Sequence, residues 1–589
     1  MDRERREVAM TGVIIVAEKG SVARAIAKAL AGKRVEVTSV KGHVMEYSLP
    51  PGYEWGRVSP VEIMKLRRFS EVITDKKTYH KLHRLFRNYG TLVIATDNDS
   101  EGELIGYEIL KIWREAAGRQ APYFRMRFNS TDADEIRRSW RSLEKTLRWE
   151  WVEKARFRHL FDLLTGAAFT RLLTQSTRRK RDVRLISWGS CQTACLNFIV
   201  EREREIQEFK PRPFWYIKAV LETGGGERFT ATSKTFWDKD EAGKSYAEAL
   251  ETEQATVERY TEKRRRIPRP LPPRTDDTLR DLTKITGRPA SQLLNVMENL
   301  YAEGYISYPR TETNRYPAGF DFRTPLKAVL AAGIAQGEAG KPQPRNGRLD
   351  DGAHPPIYPT STFRGRGLEG EVWGYIARRF YANAYMRDAE ETVQEAAVRL
   401  GNLPLEASGK YLSQEGFYGV FSYFRPGGSK IPELSPGELL RVVEVKLVED
   451  RTKPPPRLSE ADLLRLMERH GIGTDATRAT FPQLIIDRGY AVKSRGVFKP
   501  TPLGFSLVES LRKADQRLVT PETRRMVEEK MRMIEKGVER LEEALEDSAK
   551  TYENLLNTCR ERIEEITTSL AEAIPQQARQ KTGGYSKNA

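Results

Sequence analysis

The stretch TLVIATDNDSEGELIGYEILKIW, Thr91 to Trp113, decides the fold that we expect for this chain. Its first six residues form an apolar, β-branched run that is typical of a buried strand, and its last ten have apolar residues at helical spacing. An acidic turn lies between the two. A similar unit begins at Val13, where VIIV is followed by Glu18-Lys19-Gly20 and a helical pattern. Strand, turn and helix, repeated in this order, predict an open α/β sheet with a ligand site at the carboxyl ends of its strands.

The acidic turn supplies three alternating carboxylates, Asp97, Asp99 and Glu101. Carboxylate oxygens at this spacing, directly after a buried strand, favour Mg²⁺ that keeps several of its waters. A calcium loop comes close, because Gly102 stands at the sixth position and Glu108 at the twelfth. An EF-hand, however, needs a helix before its loop, and LVIAT is a strand pattern. A solvated turn without metal is the third interpretation, and the position after the strand favours magnesium over it.

A second stretch, GYISYPRTETNRYP from Gly304 to Pro317, follows a helical pattern that ends at its glycine. It places the phenol of Tyr308 two residues from the guanidinium of Arg310. A phenol can attack a phosphodiester, and a planar cation can stabilise the phenolate and hold the phosphate. The same string is also typical of a surface turn without chemistry. The tyrosine therefore needs an acid or metal partner and a nucleic-acid surface before it counts as a nucleophile.

The composition indicates a polyanionic partner. The 589 residues are 39% hydrophobic and 31% charged, as in globular proteins, and they carry a formal net charge of +17. The basic residues are spread through folded-looking segments, which favours nucleic acid over a membrane surface. Cys191, Cys195 and Cys559 exclude a disulfide scaffold, and no apolar run is long enough to span a membrane. We expect a cytoplasmic, chromosome-associated protein.

The order of patterns along the chain predicts several domains. Residues 155–203 have a helical pattern, and alternating strand patterns begin at Phe214. The segment from Arg264 to Thr275 is a stiff proline-rich linker. Two β segments, 212–263 and 406–450, flank the region that carries Tyr308. This arrangement predicts a discontinuous arch that the chain enters and leaves twice.

The last third of the chain has helical patterns. Ser459 is predicted to cap a helix with Asp462 three residues on, and the helix, glycine turn and helix that follow indicate a winged-helix or helix-turn-helix element. Apolar residues recur at helical spacing over 527–545, which predicts one helix packed on the core. The string EAGKS, Glu241 to Ser245, lacks the upstream glycine of a Walker motif, so no phosphate loop is predicted.

Eight motifs, in order, resemble those of the type IA DNA topoisomerases, with a pattern closest to topoisomerase III of the archaeal type. They lie between about residues 11 and 550 and read IIVAEKGSVARAIAKAL, KGHVMEY, ATDNDSEGE, GAAFTR, CQTACLNFIVERE, EGYISYPRTETNRYP, AHPPIYPT and GIGTDATRA. ATDNDSEGE resembles the acidic motif of a Toprim domain. The resemblance implies a multidomain α/β plus α+β fold, in which a Toprim α/β domain, winged-helix-like helical domains and a β arch form a torus.

The resemblance also implies catalytic roles. Tyr308 would be the nucleophile that leaves a 5′-phosphotyrosyl link and a free 3′-hydroxyl, with Arg310 assisting at the phosphate. Glu18 would be the general acid/base at the leaving 3′-oxygen. Lys19 would stabilise the charged phosphate, and His354 would hold the scissile phosphate.

Metal and DNA contacts are implied in the same way. Mg²⁺ would be bound by the Toprim acids Asp97, Asp99 and Glu101 together with Glu18. The residues implied to contact DNA are Arg171, Gln192, Thr477 and Arg478. Two positions depart from the family pattern. Ser100 stands where many relatives have a basic residue, and Ser190 stands where the family usually has proline or arginine, in a segment that the resemblance implies contacts DNA. We also expect no C-terminal zinc ribbons of the tetracysteine type.

The family architecture maps onto this chain as five parts. They are a Toprim domain (1–150), a discontinuous helical base domain (151–211 and 457–575), a discontinuous β arch or hinge domain (212–270 and 406–456), a domain that carries the catalytic tyrosine (271–405) and a disordered tail (576–589).

The implied function is ATP-independent, magnesium-dependent cleavage of one DNA strand, strand passage and religation, which relaxes negatively supercoiled DNA or decatenates it. A covalent tyrosyl ester conserves the energy of the broken bond, which agrees with the missing phosphate loop. We expect a monomer acting on single-stranded or underwound DNA, and the sequence leaves RNA and a helicase partner open. Two other functions fit parts of the sequence: a Toprim primase or nuclease, and a non-enzymatic architectural DNA-binding protein.

Overall fold

The computed structural model describes residues 12–336, 340–474 and 477–575. The tail predicted for 576–589 lies outside the described residues. The described chain combines α/β, helical and β-barrel parts, so the multidomain fold class predicted from the sequence is confirmed. Within these ranges no helix combines the length and the apolarity that crossing a membrane requires.

The first part is an α/β domain built on a parallel sheet. Its elements are β1 Val13–Ala17, α1 Gly20–Ala29, β2 Val35–Ser39, β3 Met45–Ser48, α2 Pro60–Met64, β4 Ser70–Ile73, α3 Lys76–Phe86, β5 Thr91–Ala95, α4 Ser100–Ala117, β6 Tyr123–Arg125 and α5 Ala133–Arg141. The sheet order is β2-β1-β5-β6, and β3 pairs with β4 separately. Val13 of β1 lies opposite Thr91 of β5, so these parallel strands end at the same edge.

Two long helices follow, α6 Trp149–Arg178 and α7 Ser190–Glu208. Aromatic side chains of α6 form the centre of the helical core, where Phe169 stacks on Trp188 at 4.2 Å between ring centroids and Phe161 meets Tyr552 edge-on at 5.0 Å. The first domain therefore rests on a helical base whose other members come from the end of the chain.

The middle of the chain alternates between strands and helices. Its elements are β7 Pro213–Glu222, β8 Arg228–Ser233, α8 Lys239–Leu250, β9 Gln254–Ile267, α9 Thr275–Thr286, α10 Ala290–Ala302, α11 Arg323–Ala331, α12 Gly367–Tyr385, β10 Ala389–Leu400, β11 Leu403–Gln414 and β12 Leu439–Arg451. The strands close into a barrel in the order β10-β11-β8-β7-β12-β9. The predicted arch is thus a closed barrel, and it includes β10, which lies inside the 271–405 range predicted for the tyrosine domain.

The barrel joins its neighbours through two pairs of adjacent chain segments. On the side of the helical base, Pro213 pairs with Arg451, and just beyond them the Thr452 N–H donates to the Arg212 carbonyl at 3.0 Å. On the side of the tyrosine helices, Ile267 pairs with Ala389. We call each pair of segments a neck.

The predicted winged helix is present. Its elements are α13 Glu460–Arg469, α14 Phe481–Asp487, β13 Ala491–Ser494, β14 Val497–Pro500 and α15 Pro502–Ala514. The Ser459 side chain accepts from the backbone of Asp462, and Asp462 accepts from the backbone of Ser459, so the predicted capping box is confirmed.

Three helices close the described chain, α16 Glu522–Glu535, α17 Leu541–Glu561 and α18 Ile563–Ala573. The prediction of one helix over 527–545 is wrong, because the chain turns between α16 and α17. Gly537 has φ of +68° there, in the left-handed region, and Val538 is 65% exposed. The apolar spacing continues across the turn because both helices pack on the same core.

Candidate active site

The structure brings the two predicted halves of the site into contact. The phenol of Tyr308 donates a hydrogen bond to Asp99 Oδ2 at 2.5 Å, although 209 positions separate the two residues. Tyr308 is 4% exposed. Its ring meets Tyr301 edge-on at 5.1 Å and lies 4.9 Å from the ring of His354. The phenol is therefore enclosed between the acidic turn and its own domain.

Burial, together with the charges of Asp99 and Asp97, raises the pKa of Tyr308 well above its ordinary value. The phenol is consequently protonated in this arrangement. A protonated phenol is a weak nucleophile, so catalysis by Tyr308 would require both a proton acceptor and exposure of the phenol.

Backbone contacts hold this tyrosine from two sides. Gly304, with φ of +85°, ends the turn after α10. The Ser307 N–H donates to the Tyr358 carbonyl at 2.9 Å, within the tyrosine domain. The Tyr308 N–H donates to the Asn129 carbonyl at 2.8 Å, in the α/β domain. The nucleophile candidate is thus part of the contact between two domains.

Glu18 and Asp97 follow β1 and β5 and meet at the shared edge of the sheet. The Asp97 N–H donates to Glu18 Oε2 at 3.1 Å, and Lys19 Nζ lies 3.4 Å from Asp97 Oδ2 and 4.0 Å from Glu18 Oε1. Burial, and secondly the charge of Asp97, raises the pKa of Glu18 to about 8. Burial also raises the pKa of Asp97. Glu18 is therefore a neutral carboxylic acid near pH 7 and has a proton to give.

Each carboxylate oxygen of Asp99 accepts a different hydrogen bond. Its Oδ1 accepts the Gly102 N–H at 2.7 Å and so caps α4, while its Oδ2 accepts the phenol of Tyr308. The approach of Gly102 is too close for any other residue, because a Cβ there would lie 2.1 Å from the Asp97 carbonyl oxygen. The glycine of the acidic motif thus shapes the turn that presents both aspartates.

Glu298 of α10 holds two cations beside the tyrosine. Arg310 Nε donates to Glu298 Oε1 at 2.8 Å, and Lys19 Nζ lies 4.0 Å from Glu298 Oε2. Burial alone would lower the pKa of Arg310, but Tyr308 in its ionised form and the charge of Glu298 raise it. Arg310 and Lys19 thus approach the site from different domains, where both could contact one phosphate.

His354 is oriented by Asp351. The His354 N–H donates to Asp351 Oδ1 at 2.8 Å, and His354 Nδ1 lies 3.2 Å from Asp351 Oδ2. Burial raises the pKa of Asp351, but its hydrogen bonds with His354 outweigh that effect and hold it well below its usual range. The carboxylate fixes the imidazole beside the phenol of Tyr308.

Glu101, the third predicted magnesium ligand, contacts a different set of side chains. Its Oε2 lies 2.9 Å from His159 Nε2 and 3.2 Å from His43 Nε2, and its Oε1 lies 3.1 Å from Arg158. In the described part of the chain, the predicted Toprim acids do not form a group whose oxygens all lie within 4.8 Å of one another. Asp97 and Asp99 offer the hard oxygens that Mg²⁺ prefers, so these two fit the predicted metal.

Two of the residues predicted to contact DNA make contacts within the protein. Arg171 Nη1 donates to the carbonyls of Tyr53 and Glu54 at 2.6 and 3.1 Å, and its guanidinium lies 5.2 Å from the ring of Trp55. Gln192 is buried, and its Nε2 donates to the Ser187 hydroxyl at 3.2 Å. Their DNA contacts remain predictions.

The other two lie in the segment before α14. The Thr477 hydroxyl accepts the Thr474 N–H at 3.0 Å, and Arg478 pairs with Asp276 of α9 and lies 3.5 Å from Glu312. This segment therefore links the winged helix to the helices that carry the tyrosine. Contact of Thr477 or Arg478 with DNA also remains a prediction.

A cavity of about 320 Å³ opens beside these groups. Its walls include Asp99, Arg310 and His354, three of the groups next to Tyr308. Basic and acidic side chains line it in equal number, and the basic ones are Lys154, Arg158, Arg310, Arg478, Arg532 and Lys536. The cavity therefore offers several cations that could bind a phosphate.

Several residues of the site were not predicted from the sequence. Tyr301 donates its phenol to Asp97 Oδ1 at 3.2 Å, and Glu298 and Asp351 hold the cation and the imidazole. Tyr301 and Glu298 stand on α10, seven and ten residues before the predicted nucleophile. Their helical spacing, three residues apart and facing Tyr308, is the signal that could have identified them.

Comparisons with known proteins agree with this arrangement. Residues 13–131 match the family model of the Toprim domain, and residues 146–546 match the family model described as DNA topoisomerase. The chain has the fold of full-length topoisomerase I from Thermotoga maritima, with a TM-score of 0.75 at 22% identity, covering 92% of this chain and 90% of that one.

Curated relatives share the similarity over most of the chain. DNA topoisomerase 1 of Pyrococcus horikoshii is 30% identical and covers 95% of this chain and 86% of its own length. DNA topoisomerase 1 of Thermoplasma acidophilum is 31% identical, over 87% of this chain and 69% of its own length. Human DNA topoisomerase 3-beta-1 is 33% identical over 88% of this chain, which spans 66% of the human protein.

The fold and the site together define an enzyme with a Toprim domain. The chain belongs to the type IA DNA topoisomerase family, and its pattern is similar to that of topoisomerase III. It has the torus-like fold of that family.

Proposed function

We propose that Tyr308 cuts one strand of single-stranded or underwound DNA and that the chain passes a strand through the break and reseals it. The contact that carries this proposal is the hydrogen bond of 2.5 Å from the Tyr308 phenol to Asp99. It joins a phenol of one domain to the acidic turn of another. Arg310, Lys19 and His354 lie around this contact and could bind a phosphate.

Cleavage would be a transesterification. The phenol oxygen of Tyr308 forms a bond to phosphorus, and the bond from phosphorus to the 3′-oxygen breaks. The phenol proton passes to Asp99, which is its nearest acceptor, and Glu18 supplies a proton to the leaving 3′-oxygen. The product is a 5′-phosphotyrosyl link and a 3′-hydroxyl, and the reverse steps reseal the strand without ATP.

The charged groups would act on the phosphate. Arg310 and Lys19 both approach Glu298, so DNA that enters would exchange this carboxylate for a phosphate. His354, oriented by Asp351, would hold the scissile phosphate in line. Asp97 and Asp99 would bind Mg²⁺, which supplies positive charge next to the phosphate oxygens when it is bound.

Access requires movement. Tyr308 is 4% exposed, and its own backbone is hydrogen-bonded to Asn129 of the α/β domain. We infer that the tyrosine domain separates from the α/β domain to admit DNA. The barrel would support the tyrosine domain during this movement. The chain would act as a monomer, because both halves of the site come from one molecule.

The test is covalent capture of DNA. Tyr308→Phe should abolish the protein–DNA adduct in a denaturing gel, because the phenol oxygen is the nucleophile. Plasmid relaxation should be lost in the same variant, and in the wild type it should require Mg²⁺.

Tyr316→Phe is the matched control. Tyr316 is also 4% exposed and lies in the same segment, and its hydroxyl has no hydrogen-bond partner among the described residues. This variant should keep the adduct. An adduct that persists in Tyr308→Phe would contradict the proposed function.

A further inference from the structure

A row of three aromatic side chains lies on the outer face of the barrel, next to the neck that joins the barrel to the helical base. Alternate residues of β7, beginning with Trp215, are buried in the barrel core, so Phe214 and Tyr216 point outward. Their ring centroids lie 6.4 Å apart and their planes differ by 26°. The ring of Trp237 continues the row, 5.9 Å from that of Phe214. We call Trp237, Phe214 and Tyr216 the aromatic stripe.

The backbone fixes the tryptophan of the stripe in place. The Trp215 N–H donates to the Phe236 carbonyl at 3.0 Å, and the Phe236 N–H donates to the Trp215 carbonyl at 2.8 Å. Both of these side chains are buried, so Trp237, the next residue, is turned outward beside Phe214 and is 54% exposed. The stripe is therefore ordered before any ligand binds, which lowers the entropy lost on binding.

A basic side chain stands at each end of the stripe. At one end, the guanidinium of Arg212 lies 4.9 Å from the ring of Trp237. At the other end, Lys218 follows Tyr216 on the same face of β7 and is paired with Lys446 of β12. Like charges directly opposite each other on neighbouring strands are destabilising. Within the described residues neither Arg212 nor Lys218 forms an ion pair, so both ends offer positive charge to an anion.

Carboxylates next to the stripe already have partners. Asp238 follows the tryptophan and caps α8. Glu449 Oε2 accepts the indole N–H of Trp215 at 3.2 Å. Asp450 lies opposite the phenylalanine of the stripe, and its Oδ2 is 4.0 Å from Lys453 Nζ. These carboxylates are thus engaged by groups outside the stripe rather than by its two terminal cations.

We propose that the aromatic stripe binds single-stranded DNA at a site separate from the cleavage site. Unpaired bases would stack on its rings, because every base has a π-face, and phosphates would contact Arg212 and Lys218. The stripe shares no residue with the described lining of the cavity beside Tyr308. The choice of DNA as the ligand rests on the proposed function. A strand held here would lie at the neck between the barrel and the helical base.

Photochemical crosslinking locates the bound strand. The experiment uses the full chain carrying Tyr308→Phe, so that no covalent adduct contributes. A single-stranded oligonucleotide of thymidines that contains 5-iododeoxyuridine is bound and irradiated, and the crosslinked peptides are identified by mass spectrometry. An iodinated base couples to the aromatic ring on which it stacks, so crosslinks should fall on Trp237, Phe214 or Tyr216.

Affinity measurements then separate stacking from charge. By fluorescence anisotropy, Trp237→Ala and Phe214→Ala should each weaken binding of a long oligonucleotide of thymidines about tenfold. An abasic oligomer of the same length has the phosphates without the bases, so neither variant should change its affinity. Arg212→Ala and Lys218→Ala should each lower the slope of log affinity against log salt by about 0.7, the value for one phosphate contact with a single strand.

Two variants serve as controls. Trp237→Phe keeps a ring on the stripe and should retain most of the affinity, even if the alanine variant folds poorly. Phe424→Ala removes a ring that is 41% exposed outside the stripe, and it should leave both the affinity and the crosslinks unchanged.

Two results would overturn the proposal. One is wild-type affinity in Trp237→Ala and Phe214→Ala with no crosslink on the stripe, which would leave the rings packed only on one another or available to a protein partner. The other is equal weakening for the abasic oligomer, which would show that the rings do not stack on bases. The Tyr308 adduct is measured separately in the wild type, so the proposed cleavage and this site can fail independently.

Discussion

At the scale of the residue, the buried acid Glu18 is the most informative group. It accepts the Asp97 N–H, it faces the charge of Asp97, and its pKa is raised to about 8, first by burial and then by that charge. A group of this kind stores a proton at neutral pH, which is what a leaving 3′-oxygen needs. The same raised pKa makes the stability of the protein depend on pH.

The wild type should lose stability as pH rises, and we predict that Glu18→Gln does not show this loss. The ordinary pKa is 4.5 and the folded pKa is about 8, so the folded state binds more protons than the unfolded state between these values. The free energy of unfolding of the wild type therefore falls as pH rises from about 4.5 to about 8. Melting in EDTA should show equal stability near pH 4.5 and a more stable variant at pH 8.5.

The exposed carboxylate of Glu303 provides the control. Glu303→Gln should melt in parallel with the wild type at both pH values. Glu18→Gln should also cut DNA more poorly than it binds DNA, since the amide has no acidic proton. Equal loss of cleavage and binding would assign Glu18 a structural role only.

At the scale of the element, the start of α4 determines how the acidic turn is presented. Asp99 caps the helix, and Gly102 packs directly on the Asp97 carbonyl. A methyl group at this position cannot fit without moving the turn. The position of both aspartates therefore depends on a residue that takes no part in the chemistry.

We predict that Gly102→Ala lowers both stability and cleavage. Its Cβ would lie 2.1 Å from the Asp97 oxygen, so the turn must shift and the contact with Tyr308 must weaken. A loss on the order of 1–3 kcal/mol in the free energy of unfolding is expected for such a clash. Urea unfolding and adduct yield measure the two effects.

Gly166→Ala is the matched control for this glycine. Gly166 lies inside α6 and a Cβ there would meet nothing within 4 Å. The variant should be more stable by about 0.5–1 kcal/mol, because alanine favours a helix over glycine. Gly102→Ala with wild-type stability would show that the turn can relax around the methyl group.

The elements also show what the sequence could predict. The runs VIIV and TLVIA identified β1 and β5, and parallel strands end at one edge, so the meeting of Glu18 and Asp97 follows from local patterns. The direction of Glu101 does not, because His43 and His159, both 58 positions away, determine it. The closure of the barrel depends on pairing between β9 and β10, which the tyrosine helices separate in sequence.

At the scale of the whole molecule, the proposed opening of the site would have to break contacts between domains. Arg280 of α9 donates to Glu468 of α13 at 2.8 Å, which links the tyrosine helices to the winged helix. Both side chains are about one quarter exposed, at 23% and 24%. Such an ion pair contributes little stability by itself, but its position makes it a useful place to lock the molecule.

We predict that joining these two helices stops strand passage. The variant Arg280→Cys with Glu468→Cys, treated with a short reducible bismaleimide, should lose plasmid relaxation and regain it on reduction. The natural cysteines, Cys191, Cys195 and Cys559, are all buried, so the background reaction should be low. Each single-cysteine variant, treated alike, should relax plasmid normally. Full relaxation by the cross-linked protein would contradict an opening between these domains.

The two necks of the barrel have a mechanical consequence. Each neck consists of two neighbouring chain segments, as at Pro213 with Arg451 and at Ile267 with Ala389. Two neighbouring antiparallel segments bend more readily about one axis than they twist. The tyrosine domain should therefore swing along one path and return Tyr308 to the same place against Asp99. Accurate return would allow the two ends of the proposed break to be rejoined in register.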